Sequence, residues 1–216
     1  TPTLSGACAG DSVNSTTSGW CLGGNSTSGN GDGMFNSPKG LVASGSSLFI
    51  VASNNNRIQK IGSATGVFQG WIGKINTPPT SGCTVSSGFV DSGWCVGGTS
   101  QGQGGTEGAA GLASPVAIVS DGTYLYVSSQ NRIVRFNLDG SFQGWIGQII
   151  SGASGPGACS STTNSFTPDW CSGGSVQSAN QGGLGGISFV TALAINGSSI
   201  YTLDQNQHRI GKYGLT

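Results

Sequence analysis

Charge is the first thing this chain is short of. Its 216 residues carry eight basic and eight acidic side chains, for a formal net charge of zero. DNA, RNA and anionic membrane surfaces are bound by clustered Lys and Arg. No such cluster exists, so neither nucleic acid nor a charged membrane surface is an expected partner. Histidine is scarcer still, with His208 alone. A catalytic zinc centre draws on two or three histidines or a mixed His/Cys/carboxylate set, and a serine triad needs a histidine oriented by a carboxylate. One histidine supports neither. The cysteines contain no C-x-x-C pair, which excludes zinc-ribbon spacing and c-type haem attachment. No phosphate-cradling G-x-x-x-x-G-K-S/T is present, and no G-x-S-x-G stands between a strand and a helix. No apolar run approaches the roughly 20 residues that cross a bilayer as a helix, so membrane insertion is not expected. No signal peptide opens the chain, and any export signal has been removed or lies outside these residues. The expectation is a protein that is not an enzyme and holds no cofactor or metal.

What the chain does have is glycine, 40 residues of it, with much Ser, Thr and Asn. Regular apolar runs between the polar stretches turn that composition away from disorder and towards many short strands and turns. The stretch Leu48–Gly73 holds an apolar run, a polar corner ending in Asn-Arg-Ile, a Thr-Gly turn and Phe-Gln-Gly-Trp-Ile-Gly. The pattern returns at Leu125–Gly147 with the same six-residue ending, and again from Ile200 to the last residue, Thr216. A fixed period of this size marks a repeat architecture.

Aligned on Phe49, Tyr126 and Tyr201, each copy has a glycine four residues earlier: Gly45, Gly122 and Gly197. Glycine supplies the positive φ of a tight hairpin turn. Strand one is therefore predicted at Leu41–Ser44, Val116–Val119 and Thr191–Ile195. Strand two is predicted at Leu48–Ala52, Tyr124–Val127 and Ile200–Leu203, apolar almost throughout as suits a strand covered on both faces. Strand three starts at Arg57, Arg132 and Arg209, each followed by Ile. Turns at Thr65-Gly66 and Asp139-Gly140 lead to strand four, Val67–Gly73 and Ser141–Gly147. Each unit is then a four-stranded antiparallel meander that cannot bury its own faces and must stack on neighbours.

Six cysteines recur with the units: Cys8 and Cys21, Cys83 and Cys95, Cys159 and Cys171. Six allow 15 connectivities, and periodicity favours the one in which each unit closes its own short loop. Such a bridge contributes about 3 kcal/mol on the chain-entropy model. Paired structural cysteines imply an oxidising compartment, so an extracellular or cell-surface location is expected.

Phe35-x-x-Pro38, Leu112-x-x-Pro115 and the corner Asp204-Gln-Asn-Gln-His-Arg209-Ile210 resemble the NHL-repeat family of β-propellers. Asn54-Asn-Asn-Arg57-Ile58 and Gln130-Asn-Arg132-Ile133 are looser copies of that corner. The resemblance covers about half the chain. It implies three tandem propeller-like blades, the last lacking its fourth strand, and no particular activity. Repeat 1 then spans 1–75 (Cys loop 1–34, blade 35–75), repeat 2 spans 76–150 (loop 76–111, blade 112–150), and repeat 3 spans 151–216 (loop 151–186, incomplete blade 187–216). The repeats recur every 74 to 77 residues, against about 40–50 for an ordinary blade. The excess is a Gly/Ser-rich insert carrying the cysteines and a second motif: Gly19-Trp-Cys-Leu-Gly-Gly24, Gly93-Trp-Cys-Val-Gly-Gly98 and Asp169-Trp-Cys-Ser-Gly-Gly174. The chain amounts to three periods less about one strand. It is either a piece of a longer array or takes the missing strand from another molecule, and an unfilled edge is a template for pairing.

The five tryptophans are the sharpest candidates for contact. Trp20, Trp94 and Trp170 lie in the inserts, and Trp71 and Trp145 on strand four. They could stack on sugar rings, as in a glycan-binding module. Alternatively they cover the disulfides or fill the joins between units, the favoured use in a domain short of other aromatics. Six basic residues recur on strand three, Arg57 and Lys60, Arg132 and Arg135, Arg209 and Lys212, and point to opposite faces. They read as structural rather than as an anion site. Asp121 and Asp139 sit in turns, as Asp often does. The remaining carboxylates, Asp11, Asp32, Asp91, Glu107, Asp169 and Asp204, single out no acid–base pair. Gly29-Asn-Gly-Asp32-Gly33 has some look of a calcium turn. Only Glu107 stands nearby in the second unit and no carboxylate in the third, so it reads as loop. Asn14, Asn25 and Asn196 open formal glycosylation tripeptides.

The function expected from all this is an exported structural repeat protein. It would self-associate into a fibre or scaffold by stacking and by strand completion between chains. The alternative is a lectin-like adhesion propeller using its repeated tryptophans.

Overall fold

The computed structural model of the chain describes residues 5–6, 8–12, 16–86, 89–101, 110–151, 159, 165–176 and 186–215. Asn14 and Glu107, both singled out above, lie outside the described residues. The described architecture is all-β apart from one 3-10 turn, Ser53–Asn55.

Three antiparallel sheets follow the repeats. Sheet 1 takes Pro38–Ser44, Ser47–Ala52, Arg57–Gly62 and Phe68–Gly73 in that order. Sheet 2 takes Pro115–Ser120, Tyr124–Ser129, Arg132–Asn137 and Phe142–Gly147. Sheet 3 takes Val190–Asn196, Ser199–Asp204 and Arg209–Gly214. Gly45, Gly122 and Gly197 turn strand one into strand two with φ of 57°, 90° and 56°. Nothing lies within 4 Å of where their Cβ would be, so conformation rather than crowding requires glycine there.

Two features depart from the strand reading. In sheets 1 and 2, strand one begins three residues or one residue earlier than read, at Pro38 and Pro115, and a register irregularity follows the proline. Proline lacks an N–H and is tolerated at the first position of a strand. More consequentially, the three sheets are open and unequal. Phe68–Gly73 also pairs, through Trp71 and Cys95, with the strand Phe89–Val96 of the second insert, and that strand pairs with Ser81–Ser86. Sheet 1 is thus six-stranded, and this insert is a β-hairpin rather than a plain loop. In sheet 2 the same contact is a single bridge, Trp145 to Cys171.

Alternation decides what each sheet buries. In sheet 1, Phe49 and Lys60 are cross-strand partners, as are Val51 and Ile58, and these four face sheet 2. Leu125 and Phe136, and Val127 and Val134, are partners in sheet 2 and face back. Phe49, Val51, Ile58, Leu125, Val127, Val134 and Phe136 share one core cluster. The opposite face of sheet 2, with Tyr126 and Ile133, packs with Ile187, Val190 and Ile200 of the third unit. The first strands of neighbouring sheets lie against one another. A Cβ on Gly40 would come 2.6 Å from the Val116 carbonyl oxygen. Each sheet therefore stays dry by lying against the next, as nearest-neighbour repeats do.

Candidate functional site

The strongest local construction is the joint between one sheet and the insert that follows it. All three disulfides close within their own insert: Cys8–Cys21, Cys83–Cys95 and Cys159–Cys171, with Cα–Cα distances of 5.2, 4.7 and 5.5 Å. This is the connectivity that periodicity favours, and no described cysteine is free. Asp11 lies beside Cys8 and Cys21, but sulfur held in a disulfide offers no thiolate to a metal.

Around each bridge the two tryptophan motifs interlock. The strand-four tryptophan pairs with the second cysteine of the next insert, Trp71 with Cys95 and Trp145 with Cys171. Its indole N–H then donates to the glycine pair beyond that cysteine: Trp71 to the Gly97 oxygen at 3.1 Å, Trp145 to that of Gly173 at 3.0 Å. The insert tryptophan crosses in front. A Cβ on Gly70 would meet the Cβ of Trp94 at 2.4 Å, and one on Gly144 the Cβ of Trp170 at 3.0 Å. Both glycines also hold positive φ, 137° and 131°. The glycine of Phe-Gln-Gly-Trp is there because another chain segment passes over it.

The insert tryptophan is a wedge between units. The Trp94 ring lies 5.4 Å from Phe49 and under the Lys60 ammonium at 5.7 Å, both on sheet 1. Its N–H donates to the Leu138 carbonyl of sheet 2 at 3.0 Å. Trp170 repeats the stack on Tyr126 at 5.5 Å and under Arg135 at 4.4 Å. Desolvated cation–π contacts of this kind contribute up to about 2 kcal/mol. Trp20 keeps the other half of the arrangement, its N–H donating to the Ser63 carbonyl at 3.2 Å. Trp20 is 51% exposed, whereas Trp71, Trp94, Trp145 and Trp170 are all buried. Trp20 alone of the five presents its side chain at the surface.

The first arginine of strand three pins the end of its own insert. Arg57 donates to the carbonyl oxygens of Asn30, Gly31 and Met34, each at 2.7 Å. Arg132 donates to Gly111 at 2.5 Å, and Arg209 to Gly186. Two carbonyls of the Gly29–Gly33 stretch, those of Asn30 and Gly31, thus accept from a guanidinium. Burial pulls the Arg57 pKa down to about 10, partly offset by Asp32. Asp32 in turn accepts from the Gly97 N–H at 2.8 Å, which ties the first insert to the second.

The corner before strand three is conformational. Asn56 and His208, each one residue before the arginine, hold φ of 49° and 51°. His208 is exposed, and its turn is held by Asp204, which accepts from the Gln207 N–H at 3.2 Å and also from Ser188 at 2.8 Å and Phe189 at 3.1 Å. Asp121 and Asp139 serve their own turns, accepting from Thr123 and Tyr124, and from Ser141. Asn25 and Asn196 are exposed.

Sequence reasoning placed these residues but missed their partners. The repeated arginines of strand three donate to backbone oxygens of the inserts, which their spacing does not reveal. The link from Phe-Gln-Gly-Trp to the later Gly-Gly crosses about one insert and has no local signature. Its sequence signal is that each of the two Phe-Gln-Gly-Trp copies is followed by a Trp-Cys-x-Gly-Gly. No family model and no curated protein matches this chain. No helix among the described residues is long and apolar enough to cross a membrane, and three disulfides fit an oxidising, extracellular environment.

Proposed function

We propose that this chain is an extracellular structural repeat protein of NHL-like propeller blades, which self-associates into a fibre or scaffold at a cell surface. The observation that carries this reading is where the chemistry of the molecule is spent. The tryptophans go into joints between units, where four of them are buried, while the fully buried Arg57 and Arg132 and the disulfides brace each unit's own insert. A protein built to hold itself in a row needs such joints and needs no reactive groups. Sheet 3 supports the same reading. Its third strand, Arg209–Gly214, pairs only with Ser199–Asp204 among the described residues, and an open edge can be completed by a strand from another chain. Negative-stain microscopy of the native protein at rising concentration should show filaments or ordered arrays. Discrete particles at every concentration would reject the fibre.

A glycan-binding module remains a second reading through one residue, Trp20, whose exposed indole face could stack on a sugar ring. A glycan array probed with the wild type and with Trp20→Ala decides it. Binding that disappears in the variant favours the module, and absence of binding removes it.

A further inference from the structure

We propose that the outer faces of sheet 1 and sheet 3 are the two halves of one joint, and that each docks on the opposite face of a second copy of this chain. The proposal rests on the self-association reading above and names its surface.

Within the chain, the same joint is made twice. The forward face of a sheet offers an aromatic and a cation for the next insert's tryptophan: Phe49 and Lys60 under Trp94, Tyr126 and Arg135 under Trp170. Sheet 3 has that pair ready. Lys212 is the cross-strand partner of Tyr201 and lies 5.8 Å from its ring. No tryptophan of this chain covers it among the described contacts. Beside it, Leu203 and Ile210 are cross-strand partners, in the places of Val51 and Ile58 on sheet 1. Val51 and Ile58 are 0% exposed, whereas Leu203 and Ile210 are 49% and 74% exposed. These two apolar side chains help line a groove of about 730 Å³.

The outer face of sheet 1 is the matching half. Trp20 holds the hydrogen bond to its own sheet that Trp94 holds to the hairpin turn of sheet 2, and no ring stack on Trp20 is among the described contacts. Leu41 occupies on sheet 1 the place of Ile118 on sheet 2. Each is the cross-strand partner of an aliphatic residue, Ile50 and Val127 respectively. Ile118 is 5% exposed, and Leu41 is 62% exposed. Leu48 and Ile50 are half-buried where their counterparts Leu125 and Val127 are fully buried.

Each outer face therefore exposes the residues that a neighbouring unit covers inside the chain. The complementary surface is present on the same molecule, facing away. The contact is heterologous, so it propagates into an open row or closes into a ring according to the rotation per unit. A tryptophan seated between an aromatic and a cation is the kind of anchor that dominates an interface.

Complementation tests it. Trp20→Ala removes the wedge and leaves the Tyr201 face intact; Ile210→Asp spoils that face and leaves the wedge. Sedimentation velocity is run on the wild type, on each variant and on their equal mixture. The wild type should self-associate. Each variant alone should associate about tenfold or more weakly, and the mixture should recover a dimer through its one intact joint. Either variant assembling like the wild type would overturn this joint while leaving self-association standing. A wild type that stays monomeric would overturn the self-association reading and the joint with it. Leu41→Glu and Leu203→Glu, at exposed positions on the two outer faces, should reproduce the same pattern in chains whose near-UV circular dichroism is native.

Discussion

At the scale of single residues, the molecule uses its few charges as fasteners. Arg57 satisfies three part-buried carbonyl oxygens at once. Its removal leaves them without a donor, each at a cost of about 1–3 kcal/mol less what water recovers. Arg57→Leu should lower unfolding stability by about 3 kcal/mol or more, read as a fall in urea midpoint. Arg209→Leu, at a half-buried position with one such bond recorded, should cost about 1 kcal/mol. Equal midpoints for the two variants would remove the fastening role. Asp121 offers a pH signature. Burial pushes its carboxyl up, but the N–H groups of Tyr124 and Thr123 and the Tyr126 hydroxyl outweigh that and hold it below the ordinary value. A carboxylate depressed in the folded state adds stability above its unfolded pKa, about 3.9, and loses it as pH falls through the folded value. The melting temperature of Asp121→Asn should therefore lie below the wild type at pH 6. The gap should narrow as pH drops below about 4. A gap independent of pH would contradict the assignment. The same Asp121 contact, with burial the larger cause, pushes the Tyr126 hydroxyl well above its ordinary pKa.

At the scale of elements, the strands were largely legible and the inserts were not. Gly45, Gly122 and Gly197 marked the hairpins, and Arg-Ile marked each third strand, because those signals are local. The six-stranded form of sheet 1 was hidden, because Ser81–Ser86 and Phe89–Val96 sit in a Gly/Ser-rich background where alternation is weak. Their pairing is set by a disulfide and by Trp71, some two dozen residues away from Cys95 in sequence. The aromatic–cation seats escaped for the same reason, since Lys60 meets Trp94 only after the sheet and the insert have both formed. Gly70 tests how tightly insert and sheet are apposed. Gly70→Ala forces both a positive φ and a clash with Trp94, so it should cost about 2–4 kcal/mol in chemical denaturation. Gly45→Ala, with open space around it, should cost about 1 kcal/mol. Similar losses at both sites would mean that the insert does not lie on strand four.

At the scale of the whole molecule, three small sheets with few aromatics become stable by being consecutive. Sheets 2 and 3 each cover the forward face of the sheet before, the second and third inserts each wedge a tryptophan into the join, and each of these two wedges lies beside its own disulfide. The interior joints are complete. The outer faces expose Trp20 and Leu41 beside sheet 1 and Leu203 and Ile210 on sheet 3. The most direct measurement places a photo-crosslinking benzoylphenylalanine at position 20, irradiates the assembled protein and maps the linked peptides by mass spectrometry. The expected product joins position 20 of one copy to the segment 199–212 of another. Links found only within one copy, or to any other segment of a second copy, would contradict it.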